Sequence, residues 1–216
     1  LVKVKDENLK PESMGCLLGD LLNHGVDEAW KFAESLISLP PSTNGIELTN
    51  AIVAARELMI HAADAGWSTV WPAIQKDGEF GCKVVELLAY ESDAFATKAG
   101  KLLTEDQLAD LYIWIVHQYP HAEDPDYNSE DDRVGSRLKI ASFRDSVLNL
   151  IKQRGTYKAC EAIQQITNKF SESKWLKWIL QEAKDITRRR TWIPPKPCEI
   201  LKMASNQSIS LVQNGD

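Results

Sequence analysis

His117 and His121 stand four residues apart, a spacing that on one continuous helix would aim two imidazoles at a single metal ion. Pro120 lies between them and is expected to end the helix first, leaving a histidine at a helix terminus beside free carbonyls. The segment from His121 to Asp132 imitates a calcium loop, since Asp124, Asp126 and Asn128 match the first three alternating oxygen ligands. The match then fails: Ser129 replaces the sharp-turn glycine, and the position of the bidentate glutamate holds Gly135. An acidic surface loop is the expected outcome. A small helical enzyme would rest on these histidines and this loop alone, and no catalytic, cofactor-binding or metal-binding residue is predicted. No phosphate-binding glycine loop, dinucleotide fingerprint, nucleophile elbow or zinc-protease motif occurs in the chain.

A second pattern concerns charge rather than reaction. Lys174, Lys177, Gln181, Lys184 and Arg188 step by three and four residues, and Arg189 and Arg190 extend the run. On a helix these positions form one cationic stripe, while Leu176, Ile179, Leu180, Ala183 and Ile186 form the apolar face. Trp175 and Trp178 border the stripe and Trp192 follows it. Tryptophan beside Lys and Arg suits stacking on bases or cation–π contact. The same chemistry also suits long basic side chains that cover apolar surface with their stems. The predicted contact patch is therefore Lys174, Lys177, Lys184, Arg188, Arg189, Arg190 and Trp192.

Charge is uneven over the whole chain of 216 residues: residues 1–135 carry a net −14 and residues 136–202 a net +9. Two explanations compete. Either the acidic and basic parts face each other, with the acidic loop beside basic helices, or the basic part meets a polyanion. The four cysteines, Cys16, Cys82, Cys160 and Cys198, are widely spaced with no C-x-x-C pair, which argues against a disulfide framework and fits a reducing, cytoplasmic setting. No stretch reaches the roughly 18 uncharged apolar residues of a membrane helix. The first residue is not Met, and the expectation is a piece of a longer protein, with a single helical domain over 1–204 and a following segment beginning at 205–216.

The elements that must position these residues are helices, because apolar residues recur at helical spacing and no segment alternates for long. Helices are predicted over 13–24, 27–38, 46–65, 68–76, 79–91, 104–118, 137–153, 157–170 and 173–190, with a short one near 197–204. Three glycines, Gly25, Gly66 and Gly155, are each preceded by a leucine-rich or similar apolar turn and followed by Asp27, Ser68 or Thr156. Glycine closing one helix and a capping side chain opening the next makes a short hairpin of helices. Gly25 and Gly66 are 41 residues apart, within the roughly 40–47 residue period of HEAT and armadillo pairs. The fold expected is all-α: an irregular α-solenoid of such pairs, or a repeat-like helical bundle. His24 and His61 are read as decorating helix ends, Cys82 and Cys160 as small core residues, and Trp67, Trp71, Pro72 and Phe80 as a buried corner.

Three stretches carry a family resemblance: Gly66 to Ile74; Leu108 to Trp114 running on to Tyr119 through Pro125; and Trp175 to Trp178 followed by Arg188 through Pro195. Over residues 60–200 the chain resembles the helical region that follows the NTPase module in large bacterial, notably cyanobacterial, NACHT or STAND-type proteins. The resemblance implies an upstream ATP-binding domain, a helical part that senses a ligand or holds the protein inactive, and an effector elsewhere, often in antiviral or stress signalling. None of that family's nucleotide-binding residues falls in these 216 residues. The expected function is a non-catalytic interaction or regulatory module. Its partners would be neighbouring domains of the parent chain or another protein, with nucleic acid as the alternative and no membrane.

Overall fold

The computed structural model describes residues 10–38, 45–125 and 132–191. Among them the chain is all-α and no strand forms. In chain order the helices are α1 (Pro11–Asn23), α2 (Asp27–Ser38), α3 (Gly45–His61), α4 (Ala63–Lys76), α5 (Gly78–Tyr90), the short α6 (Ser92–Thr97) and α7 (Ala99–Leu102), and α8 (Glu105–Gln118). A single 3-10 turn (His121–Glu123) precedes α9 (Asp132–Arg154), α10 (Tyr157–Lys169) and α11 (Lys174–Thr191). The pair α6 and α7 falls in a stretch where sequence periodicity gives no helix, being too brief to show one. The short helix expected near 197–204 lies outside the described residues, as does Trp192.

Two helices act as hubs. α3 touches α1, α2, α4 and α5, and it is apolar on nearly every side, with Ala51 through Ala55 and Leu58 through Ile60 all buried. A helix buried all round is what such composition requires. α9 is the second hub and touches α5, α6, α8, α10 and α11, through buried Ile140, Phe143, Val147, Leu148 and Ile151. Phe143 meets Phe95 of α6 edge to face, with ring centroids 5.1 Å apart. Successive helices stacked in this way are consistent with a helical repeat.

The junction glycines divide into two kinds. Gly25 has φ 68° and Gly155 φ 59°, the left-handed region where a Cβ is penalised. At the first turn the Gly25 N–H donates to Leu22 O and the Val26 N–H to Leu21 O, the paired bonds of a Schellman motif. At the third, Thr156 Oγ1 accepts from the Ala159 N–H at 3.0 Å and opens α10 as expected. Asp27 does not precede its helix as a cap but is the first residue of α2, within the acid-rich first turn. Buried Ala29 and Ala159 give each hairpin its close approach.

Gly66 corrects the sequence reading. It lies inside α4 with Ser68, whose hydroxyl donates to Ala65 O at 2.8 Å rather than capping a helix. The break comes earlier, at Ala62, where φ is −141°. Gly66 is needed for space: a Cβ there would stand 2.9 Å from Leu58 O at the end of α3. The 41-residue interval thus relates a turn to a helix crossing rather than two turns. In α4 Trp67 and Trp71 stack with centroids 4.6 Å apart and are buried with Phe80, whereas Pro72, placed with them in the sequence reading, is exposed.

These two origins of glycine predict different penalties. Gly25→Ala meets open space and bears only the left-handed strain, about 1 kcal/mol. Gly66→Ala must move backbone and is expected to cost more, about 2–3 kcal/mol. Urea unfolding of both variants measures this order, and an equal or smaller loss at Gly66 would remove the close-approach explanation.

Candidate functional site

Two groups stand out among the basic residues of the C-terminal part, one inward and one outward; Lys139, over the Tyr90 ring at 3.8 Å, and Lys158 and Lys169 of α10 are exposed singly outside both. The inward set lies on α9. Arg144 occupies a core position of that helix, one residue after Phe143, and is 2% exposed. A guanidinium this deep must be paired, and Asp124 supplies both carboxylate oxygens, accepting from Nη1 at 3.2 Å and Nη2 at 2.6 Å. Tyr119 O accepts a further bond from Nη1 at 3.2 Å. Arg137 reaches Glu123 at 3.1 Å and lies over the Tyr119 ring. Lower on the same helix Arg154 pairs with Glu105 at 3.0 Å and donates to Gly100 O at 2.8 Å. Lys152 pairs with Glu182 at 2.9 Å. The acidic and basic parts of the chain do contact each other, and the segment after α8 is fastened to α9 by ion pairs.

His121 joins that segment to α11. Its Nε2 lies 3.2 Å from Tyr112 Oη, its Nδ1 3.7 Å from Asp124, and its ring meets Trp175 at 5.9 Å in an edge-on arrangement. Burial, then the nearby Arg144, hold its imidazole below the ordinary value against the opposing pull of Asp124 and Asp145. Burial likewise pushes Asp145 and the Tyr112 phenol up. His117 points elsewhere, toward Phe170 at 5.6 Å, so the two histidines do not converge. α8 ends at Gln118, before Pro120, as the proline implies. Of the calcium-like loop, Asp124 is engaged by Arg144, while Asp126, Asn128 and Ser129 lie outside the described residues.

A second buried ionic cluster sits at the other hub. Glu57 is 4% exposed on α3, pairs with Arg56, and lies 3.3 Å from His61 Nε2. Arg56 continues to Glu91 at 3.0 Å, and His61 Nδ1 meets Lys98 Nζ at 3.2 Å. Burial raises the Glu57 carboxyl against the attraction of Arg56, and burial with Lys98 lowers His61. Gly19 of α1 passes directly over Glu57, since a Cβ there would come within 2.5 Å of its Oε2. His61 is therefore part of an interhelical network, unlike His24, which contacts Asp20 O at 2.7 Å as a helix-end decoration.

The outward set lies on α11. Its apolar face, Leu176, Ile179, Leu180 and Ala183, is buried as the spacing predicts, and the opposite face carries the cations. Lys174, Lys177, Lys184 and Arg189 are exposed and form no ion pair among the described residues. Arg188 has a loose contact with Asp185 at 3.7 Å. Trp178 is 55% exposed on this face, while Trp175 is 39% exposed and half committed to His121. Arg190 behaves differently: its Nη1 donates to Arg154 O, and its stem lies over Gly155, where a Cβ would be 2.7 Å from its Cδ. It closes the end of α9. Beside the stripe, between α10 and α11, runs an open groove of about 600 Å³ lined by Gln164, Gln165, Asn168, Lys169 and Lys184 among others. Cys160 Sγ is half-buried 3.3 Å from Thr187 Oγ1, and Cys82 is half-buried near Gln118, each at a core margin.

No protein-family model, curated protein or solved structure matches the chain.

Sequence reasoning missed Arg144 and Glu57, although each interrupts an apolar helical register, the available sign of a buried paired charge. Asp124→Ala leaves the buried Arg144 without its counter-charge and is expected to destabilise the fold by about 3–5 kcal/mol in denaturant titration; a loss under 1 kcal/mol would mean the clamp carries little. His61 and His121 give a pH prediction. Their folded values lie below the unfolded value of about 6.5, so their contribution is complete above that pH and is lost as pH falls through the folded values. Imidazole NMR should show both midpoints below 6.5, and a midpoint above it for either histidine contradicts the packing described.

Proposed function

We propose that this chain is a non-catalytic helical interaction and regulatory module whose contact face is the outward side of α11. The observation that carries the reading is the contrast between the two basic populations. Arg137, Arg144, Lys152 and Arg154 are each matched to an acid within the chain, whereas Lys174, Lys177, Lys184 and Arg189 are presented to solvent without one among the described residues. Internal balancing thus accounts for the first set and leaves the second for an anionic partner. An exposed tryptophan within a cationic patch adds the kind of rigid aromatic anchor that interfaces favour.

The resemblance to helical regions of NACHT or STAND-type NTPases supports the wider setting: a bacterial cytoplasmic protein in which an ATP-binding module lies elsewhere in a longer chain. Here the helical stack would sense a ligand or hold a neighbouring domain, in antiviral defence or stress signalling. Its partner would then be an acidic surface of the parent chain or of another protein, with nucleic acid as the alternative.

The charge-reversal set Lys177→Glu, Lys184→Glu and Arg189→Glu tests the face. These side chains are exposed, so the helical circular dichroism should be unchanged. Binding to immobilised heparin and to poly-glutamate at about 50 mM salt should fall at least about 10-fold, because three attractive charges become repulsive. Retained binding by the folded variant would remove α11 as the contact face.

A further inference from the structure

The unmatched cations of α11 have companions that a merely attractive surface would not need. From Lys174 to Arg188 the stripe runs fourteen residues, about 21 Å along the helix. A stacked strand rising about 3.4 Å per nucleotide would lay roughly six nucleotides along that length, within the footprint of single-strand sites. Trp178 borders the stripe, about 60° around the helix from Gln181, with more than half its surface open. Next to the stripe, the groove between α10 and α11 is lined by the amides Gln164, Gln165 and Asn168, with Lys169 and Lys184 contributing cations. Glu161 is the acid among its lining residues.

We propose that this face binds single-stranded polynucleotide, with the cations on the phosphates, Trp178 stacked on a base and the amides facing base edges. The inference deepens the reading of α11 as the contact face and rests on it. Three physical points select this occupant. Cations in excess of acids attract an anionic ligand, and the acid within the stripe, Asp185, is occupied by Gln181 Nε2 at 3.1 Å and loosely by Arg188. A flat exposed aromatic ring gains from an unpaired base, whose faces are free, and gains nothing from a duplex, whose bases are already stacked. Gln164 Nε2 donates to Asn168 Oδ1 at 2.9 Å, which leaves the Gln164 oxygen, the Asn168 amino group and Gln165 to donate and accept, matching the mixed edges of bases, whereas an acidic peptide's side chains present acceptors only. The geometry of α11 suits this use, because Trp175 is held against His121 near one end and Arg190 against Arg154 O near the other.

The test is fluorescence anisotropy of the 216-residue chain with a labelled single-stranded DNA of about 12 nucleotides, the matching RNA, the blunt duplex and labelled poly-glutamate. Single strands should bind at about 50 mM salt and lose roughly 20- to 50-fold in affinity at about 200 mM, as three or four phosphate contacts require. Trp178→Ala should weaken single-strand binding by about 5-fold or more and leave poly-glutamate binding unchanged. The triple charge reversal should abolish both. Duplex bound as tightly as single strand, or indifference to Trp178→Ala, overturns the proposal. Poly-glutamate binding that the triple reversal removes, with no single-strand binding, overturns it while the contact face survives. Failure of every anion to bind removes both readings.

Discussion

A guanidinium taken out of water must bring its counter-charges with it, and around Arg144 that requirement organises the C-terminal half. Its two-pronged pairing with Asp124 and its bond to Tyr119 O fix the path of the chain just after α8. That path places His121 between Tyr112 and Trp175, and Trp175 belongs to α11. A charge buried in α9 therefore reaches the presented face of another helix through three contacts. The arrangement is costly to assemble and costly to break, because Arg144 left alone would be an unpaired charge in a packed interior.

The same logic operates at smaller scale around α3, with size in place of charge. Gly19 and Gly66 let α1 and α4 approach α3 so closely that side chains there have no room, and Glu57 with its partners fills the polar gap beneath α1. Close crossing and buried ion pairing are complementary devices: one removes volume, the other neutralises what the removed volume exposes. Both leave the surrounding aliphatic residues in continuous contact.

Much of this was legible in the sequence, for stated reasons. A helical period is a local property, and it survives in the stripe of Lys174, Lys177, Lys184 and Arg188 as clearly as in the apolar face behind it. Gly25 and Gly155 announce themselves through local backbone chemistry. The end of α3 does not, since Ala62 is a good helix former and the interruption comes from how α4 must cross back over Leu58. Gly66 is then misread as a turn because a glycine that makes room and a glycine that turns the chain look alike in one dimension. Arg190 poses the same difficulty. Nothing in its position separates it from Arg188 and Arg189, and its different partner follows only from where α9 ends. The division of the cations into paired and unpaired sets is likewise a tertiary fact, although the gradient of charge along the chain foretold that some pairing across it would occur.

α11 is anchored near both of its ends, and that has a consequence for how its sequence can drift. Residues on its outer side can be exchanged one at a time with little disturbance beneath them. Insertion or deletion of a single residue between Trp175 and Arg190 is another matter, because it would rotate everything beyond it by about 100°, carrying cations into the core and leucines into water. The anchors make the helix permissive toward substitution and intolerant of changes in length, so related chains that keep this face should keep the count of residues across it even where the residues themselves differ.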